Sequence, residues 1–468
     1  MMRRLGAALA ATLLGAALPV APAAAADPGA PARQWARAVT GETVLAHVHR
    51  FGRFAAEAGG TRAAGTPGHD ASATYVADAL TAAGYQVTVQ PYDFPVYPVP
   101  PVLHPLGFHR DRPELGRDFS AMLHTPAGEV SARVHPVDVT IPPSATPNTS
   151  TSGCEAADFA GFPPGRIALV QRGTCNYRVK ADHAAAAGAV ALIAFNEGQP
   201  DRLGPLLGSL STPGAAIPAF SVSYRLGARL AGERPVVRLR TPAVTETRRT
   251  SNVTAQTPAG DPARVLLIGA HLDSAPGSPG LNDSATGSAA LLEMALRLRD
   301  PALSGWQPAR AVRFAWWSSA AVWAPGATHY VYTLPPAEVG RIAAYLDADA
   351  LGSTNHISGV LDGDPGIARL LRRHLSEHGN GSVPVPLTGA SDTDAFATFG
   401  IPVGGVFGGA DGRKTPAERR MFGGRAGEPY DPCHRLTCDG AANVDPVVLA
   451  RHTAALTWTA GRLAATAP

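Results

Sequence analysis

The chain is nearly free of charge imbalance. Lys+Arg 40 against Asp+Glu 37 gives a formal +3, and without residues 1–26, which hold two Arg and no acid, the balance is 38 against 37, or +1. No basic stripe restores what bulk charge lacks, so nucleic-acid binding is excluded as a class. Lysine is almost missing, since Lys180 and Lys414 are two of 40 cations; we read this as codon bias without functional weight. Charged residues make up only 16% of the 468 against 45% hydrophobic, which rules out a disordered polyelectrolyte and leaves core enough for two or three domains. Beyond the N-terminal segment no stretch reaches the roughly 18 uninterrupted apolar residues of a spanning helix. No C-x-x-C pair is present, so a zinc knuckle is excluded.

The N-terminus has the pattern of an export signal. Arg3 and Arg4 precede an apolar run from Leu5 to Val20, and small residues lead through Ala23 to Ala26 before Asp27. Residues 1–26 are therefore expected to be a signal peptide, 27–38 a disordered Ala/Pro/Arg-rich linker, and the mature protein secreted and soluble. The four cysteines fit that compartment. Cys433 and Cys438 close a short loop and Cys154 and Cys175 lie in another region, so two local disulfides are the most economical of three connectivities, with buried free thiols as the alternative.

Apolar residues recur at helical spacing over 41–59 and 69–84, and 85–94 alternates like a strand. The proline-rich passage Pro95 to Pro101 marks a boundary. Residues 101–245 then read as a small β-rich domain with one helix near Arg178 to Gly188. A strand at Val265 to Gly269 opens a second α/β pattern. It continues through a helix at 287–298, strands at 311–317 and 344–349, a helix at 365–375, a strand at 401–407 and a terminal helix from Pro446. Strands alternating with long helices imply an α/β fold with a mixed or parallel central sheet and helices on both faces. Residues 39–100 and 246–468 would form this discontinuous domain, with 101–245 inserted in it.

The richest segment is Val265-Leu-Leu-Ile-Gly-Ala-His271-Leu-Asp273-Ser with Gly280-Leu-Asn282-Asp283-Ser-Ala-Thr-Gly287. A buried strand ends in a histidine, with acids on the loop that feeds the next helix, the place where open α/β sheets carry their sites. A neutral imidazole with carboxylates suits zinc. Alone, H-x-D is a weak signal. The whole stretch, however, resembles the H-x-D-S and G-x-N-D-x-x-S/T-G motifs of the secreted di-zinc aminopeptidases of metallopeptidase family 28. Gly60-Thr-Arg-Ala-Ala-Gly-Thr-Pro-Gly68, Ala343 to Ser353, Ile401 to Phe407 and the loop Tyr430 to Asp439 resemble further parts of that family. The block from Gly153-Cys154 through Cys175 to the alanine run at 184–187 resembles its inserted protease-associated domain.

That resemblance implies a zinc exopeptidase fold and a site in which two zinc ions share a bridging aspartate and a glutamate acts as general base. Carried over by position, one zinc would take His271, the bridging Asp283 and Asp349, while Asp273 orients His271. The second zinc and the base depart from the pattern. Where the family carries Glu-Glu after a strand, this chain has Ser318-Ser319-Ala320-Ala321, so Ala320 stands at the base position and Ala321 at a ligand position. The last ligand should be the His of Cys-Tyr-His, yet the run is Cys433-His434-Arg435. Arg435 falls on the ligand position, and its guanidinium is expected to neutralise Asp283; the rival is His434 swinging in as a displaced ligand.

A methyl group can neither bind metal nor move a proton. The expectation is at most one zinc, impaired or absent hydrolysis, and a monomeric module binding a peptide or protein ligand. The alternative is an active zinc aminopeptidase releasing N-terminal residues, with Glu293, Asp392 or Asp394 standing in for the lost base.

Overall fold

The computed structural model describes residues 29–465 apart from 97–99, 109–111, 116–117, 123, 147–148, 200–201, 206–207, 209, 213, 243–245, 301–305, 323–325, 388–391 and 411. The expected signal peptide lies outside the described residues. The expected linker does not hold where it is described: Ala30–Ala38 is a helix with Pro in its first turn, and its Trp35 is fully buried, donating its indole N–H to Met294 O at 3.0 Å. The physical reason is amphipathicity: Ala32 and Trp35 share the face that meets the helix Pro446–Ala465, and the arginines occupy the other.

In chain order the strands are β1 (Gln86–Val96), β2 (Val102–Pro105), β3 (Phe119–Ala121), β4 (Gly128–Pro136), β5 (Ile167–Gln171), β6 (Ala191–Phe195), β7 (Ala219–Val222), β8 (Val236–Thr241), β9 (Glu246–Gln256), β10 (Asp261–His271), β11 (Arg310–Trp317), β12 (Ile342–Asp349), β13 (Gly359–Leu361), β14 (Val383–Val385) and β15 (Val403–Phe407). They form two mixed sheets. The larger has the order β1-β9-β11-β10-β12-β15-β13-β14, and the strands from β11 through β10 and β12 to β15 run parallel. The smaller, β2-β8-β4-β5-β6-β7-β3, falls wholly within the sequence between β1 and β9. The fold is thus α/β with an inserted β-rich domain.

Both faces of the large sheet are covered. Leu266, Ile268 and Ala270 pack with Val312, Phe314 and Trp316 under the helices Gly41–Glu57, Thr286–Leu298 and Pro446–Ala465. On the other face Leu267 joins Ala315, Trp317 and Tyr345 beneath the helices Gly326–Thr333 and Asp392–Ala397. This period of two explains why β10 reads as one continuous apolar run. Trp316 and Trp317 are fully buried and serve packing on opposite faces. The inserted domain repeats the logic, with Ile167 and Leu169 facing one cluster and Ala168 and Val170 another.

Two elements escape the sequence pattern. The helix Tyr224–Glu233 buries Leu226 and Leu230 but carries Gly227, whose absent Cβ would meet Phe195 Cβ at 2.2 Å. Strand β9 has almost no apolar run, yet pairs with β1 along its whole length, from Gln86 opposite Gln256 to Val96 opposite Glu246. Its buried Asn252 is satisfied through Gln90, Gly326 and Ser318, which is how a polar strand can occupy a sheet interior.

Candidate metal centre

The parallel strands β10 and β12 end side by side. His271 is the last residue of β10 and Asp349 the last of β12, so chain direction alone puts both at the carboxyl edge of the sheet. Asp283 comes from a π-helical turn, Leu281–Ala285, leading into the helix Thr286–Leu298. That helix lies unusually close to β12, because a Cβ on Gly287 would stand 2.0 Å from Ala348 O. One donor atom each from His271, Asp283 and Asp349 then fall within 4.8 Å of one another. Sequence reasoning named these three, and the structure brings them together.

The imidazole is anchored at one nitrogen. His271 Nδ1 lies 3.1 Å from Asp273 O, a carbonyl that can only accept, so Nδ1 carries a proton and Nε2, 3.5 Å from Asp349 Oδ1, is the nitrogen a metal ion would take in place of a proton. Asp273 thus meets His271 through its backbone carbonyl. Its carboxylate, 3.7 Å from Nδ1, accepts the backbone N–H groups of Ala320 at 3.1 Å and Ala321 at 3.0 Å.

The field at the cluster favours a cation. Burial opposes protonation of His271, but Asp273, Asp349 and Asp283 outweigh it and hold the imidazole well above its ordinary value. Burial also works to raise the Asp283 pKa, yet His434, His271, Arg435 and Arg62 together bring it below the usual value. Asp283 is buried and its Oδ2 finds no hydrogen-bond partner among the described residues. The His271 Nε2, which a metal would take in place of a proton, the buried Asp283 Oδ2 and the partly exposed Asp349 carboxylate make a donor set that fits zinc.

At the second-site positions the chain offers no donors. Ala320 and Ala321 lie in a single 3-10 turn, Ala320–Val322. Ser319, Ala350 and Arg435, each beside or at a site position, have φ of 56°, 44° and 60°. Left-handed backbone on non-glycine residues costs roughly 1–3 kcal/mol each, so the backbone next to these positions is strained. The disulfide Cys433–Cys438 closes the ligand loop. His434 Nδ1 stands 3.4 Å from Asp283 Oδ1, and Arg435 also acts to lower the Asp283 pKa. Arg435 is thus one of the groups that bear on Asp283, together with His434, His271 and Arg62.

Two parts of the site carried no sequence signal of their own. Arg62 is fully buried and donates to Leu272 O at 2.6 Å, Pro279 O at 3.1 Å, Gly280 O at 2.9 Å and Ser284 Oγ at 2.7 Å, clamping the loop that bears Asp283. Asp431 and Asp439 tie the disulfide loop to the same turn: Asn282 donates Nδ2 to Asp431 Oδ2 at 2.7 Å, and the backbone N–H groups of Asn282 and Asp283 reach Asp439.

Of the three candidate substitute acids, Glu293 is engaged elsewhere, with His47 at 3.1 Å and Arg297 at 2.6 Å. Asp394 is partly exposed. Asp392 is buried, its Oδ1 meets no partner among the described residues, and burial together with Asp347 holds its carboxyl well above the usual range. His271 also acts on it electrostatically. Its neighbour Thr393 donates to Asp347 Oδ2 at 3.1 Å, two residues before Asp349.

Residues 252–459 match peptidase family M28 and residues 138–230 match the PA domain. An aminopeptidase of Pseudomonas aeruginosa is 39% identical over 447 residues, covering 90% of this chain and 80% of that protein. A probable lipoprotein aminopeptidase of Mycobacterium tuberculosis is 33% identical over 442 residues, covering 90% and 85%. Among solved structures, an aminopeptidase from Aneurinibacillus sp. strain AM-1 superposes with a TM-score of 0.58 at 22% identity, over 92% of this chain and 96% of that one. Relatives of this identity and coverage, together with the matched segments and the shared fold, establish that the chain belongs to peptidase family M28 and carries an inserted PA domain.

Proposed function

We propose that this chain is a secreted aminopeptidase homologue that holds one zinc ion through His271, Asp283 and Asp349, and binds the N-terminal end of a peptide or protein ligand while hydrolysing it poorly or not at all. The observation that carries the reading is at Ala320 and Ala321. Their methyl groups stand where the family motif places its base and a ligand, and their N–H groups are fastened to Asp273. Zinc bound there would supply a Lewis acid for a peptide carbonyl. The chain's own residues orient and neutralise: Asp273 fixes the His271 tautomer, and His434 and Arg435 offset the charge of Asp283. Losing a general base alone lowers a rate by roughly 100 to 10,000-fold. Export is supported by the N-terminal pattern and by the two disulfides, Cys154–Cys175 and Cys433–Cys438. Among the described residues no helix is long and apolar enough to cross a membrane.

A second reading is favoured by one observation, the buried Asp392 in the field of His271. In that reading the chain is a working aminopeptidase with Asp392 as substitute base. The deciding experiment measures leucine p-nitroanilide hydrolysis in excess zinc for three proteins: the native chain, Asp392→Asn, and the fourfold Ala320→Glu, Ala321→Glu, His434→Tyr, Arg435→His variant. A silent native chain and an active fourfold variant uphold the binding reading. Turnover by the native chain that Asp392→Asn abolishes overturns it in favour of the second.

A further inference from the structure

A cavity of about 400 Å3 opens between the helices Ala30–Ala38, Pro365–Glu377 and Pro446–Ala465. No residue of the metal centre lines it. The basic run Arg369 to His374 has the pattern of a solvated helix face, but His374 turns inward: it is 7% exposed and lines the cavity with Leu375 and Trp458, which are also buried. Its ring lies 5.3 Å from that of Trp458 and 4.2 Å from that of His378. Burial, reinforced by His378, pushes the His374 pKa down to about 4, so the ring is neutral. Its buried Nδ1 nevertheless meets no hydrogen-bond partner among the described residues. What His374 offers the cavity is its ring, set beside that of Trp458.

The walls set the sign of that ligand. Arg33 and Arg37, one turn apart on the first helix, and Arg451 on the last all line the cavity. The one carboxylate lining it, Glu377, already accepts from Arg373 Nε at 2.7 Å. His374 and His378 have the i, i+4 spacing of a metal pair, but three guanidinium groups oppose a cation there. The ring floor supplies an apolar face, and the volume lies within the range of small-molecule pockets, roughly 300–1,000 Å3.

We propose that this cavity is a second ligand site, separate from the metal centre, for a small organic anion. Its carboxylate or phosphate meets Arg33, Arg37 and Arg451, and its apolar body lies on the rings of Trp458 and His374. Guanidinium groups bind either headgroup in paired hydrogen bonds.

The test is titration calorimetry of the zinc-loaded chain with three probes: 3-phenylpropionate, phenyl phosphate and inorganic phosphate. The proteins are the native chain, Arg37→Gln, Arg37→Gln/Arg451→Gln and His374→Ala. None of the altered residues touches the metal centre, so zinc stoichiometry serves as the control. The expected result is binding of at least one organic anion more tightly than inorganic phosphate, weakened about tenfold or more in the double variant. Whichever organic anion binds more tightly identifies the headgroup. Equal affinity for inorganic phosphate would overturn the role of the apolar floor. Absence of binding, or binding unchanged by Arg37→Gln and His374→Ala, would overturn the site itself. Arg451 also donates to His356 at 3.3 Å, so if the double variant unfolds, the single changes Arg37→Gln and His374→Ala decide between these outcomes.

Discussion

His434 Nδ1 stands 3.4 Å from Asp283 Oδ1, close enough to act on its charge without forming a hydrogen bond. The imidazole therefore faces the carboxylate that bridges two metals in the family motif, although by motif register it occupies the tyrosine position. One histidine and one carboxylate oxygen are too few for a structural zinc, and neither Ala320 nor Ala321 adds a donor. Metal analysis after dialysis against zinc should give one ion per chain, both for the native protein and for His434→Ala. His271→Ala and Asp349→Ala should give none. Two ions in the native protein falling to one in His434→Ala would make His434 a second-site ligand and end the one-zinc reading.

Arg62 offers a test of how the ligand loop is held. All of its acceptors belong to residues 272–284, and its guanidinium also lies over the Phe51 ring at 5.3 Å. Arg62→Met keeps the length but leaves buried carbonyls without donors, at a cost of roughly 1–3 kcal/mol for each one unmet. We expect a lower melting temperature and weaker zinc binding together. Arg62→Lys keeps the charge without the planar fork and should recover only part of either. Equal behaviour of Arg62→Lys and the native chain would show that charge alone holds the loop.

How much of this was legible follows from what each residue does. His271, Asp283 and Asp349 could be read because metal chemistry restricts residue types and because a buried parallel strand such as β10 announces itself as an apolar run. Ala320 and Ala321 could be read as departures because the strand before them and Gly326 and His329-Tyr330 after them keep the register of the family motif. Arg62 could not: inside a loop an arginine looks the same whether it faces water or four buried acceptors. How His434 and Arg435 both come to bear on Asp283 depends on a left-handed backbone at Arg435, which no sequence pattern prints. Strand β9 was illegible for a related reason, since its burial is stabilised by side-chain hydrogen bonds to Asn252 rather than by an apolar face.

The helix Ala30–Ala38 replaces an expected linker, and one side chain decides whether it belongs to the fold. Trp35 is fully buried and its indole donates to Met294 O in the helix Thr286–Leu298. Trp35→Ala should lower unfolding free energy by roughly 3–5 kcal/mol, as large-to-small core changes do. Trp35→Phe keeps most of the packing and loses the donor, worth about 1 kcal/mol. Both are read from urea unfolding curves. A change within about 0.5 kcal/mol for Trp35→Ala, the range of a surface substitution, would mean that this helix contributes nothing to the folded domain.

Glu293 lies ten residues beyond Asp283 and gives a pH signature independent of the metal. Burial alone would raise its pKa, but hydrogen bonds from His47, Arg297 and Thr43 dominate and bring it down to about 2. A carboxyl whose folded value lies below its unfolded value binds fewer protons in the native state over that interval. Its contribution is therefore complete above the unfolded value near 4.5 and is lost as pH falls from there to about 2. Glu293→Gln removes the titrating group, so the native chain should lose stability relative to this variant across that window. Above it the native chain should be the more stable, since Arg297 keeps its charged partner. Urea unfolding of both proteins at a series of acidic pH values measures the difference. A gap that stays constant from neutral pH to the foot of the window would show that Glu293 is not held in its ionised form by these partners.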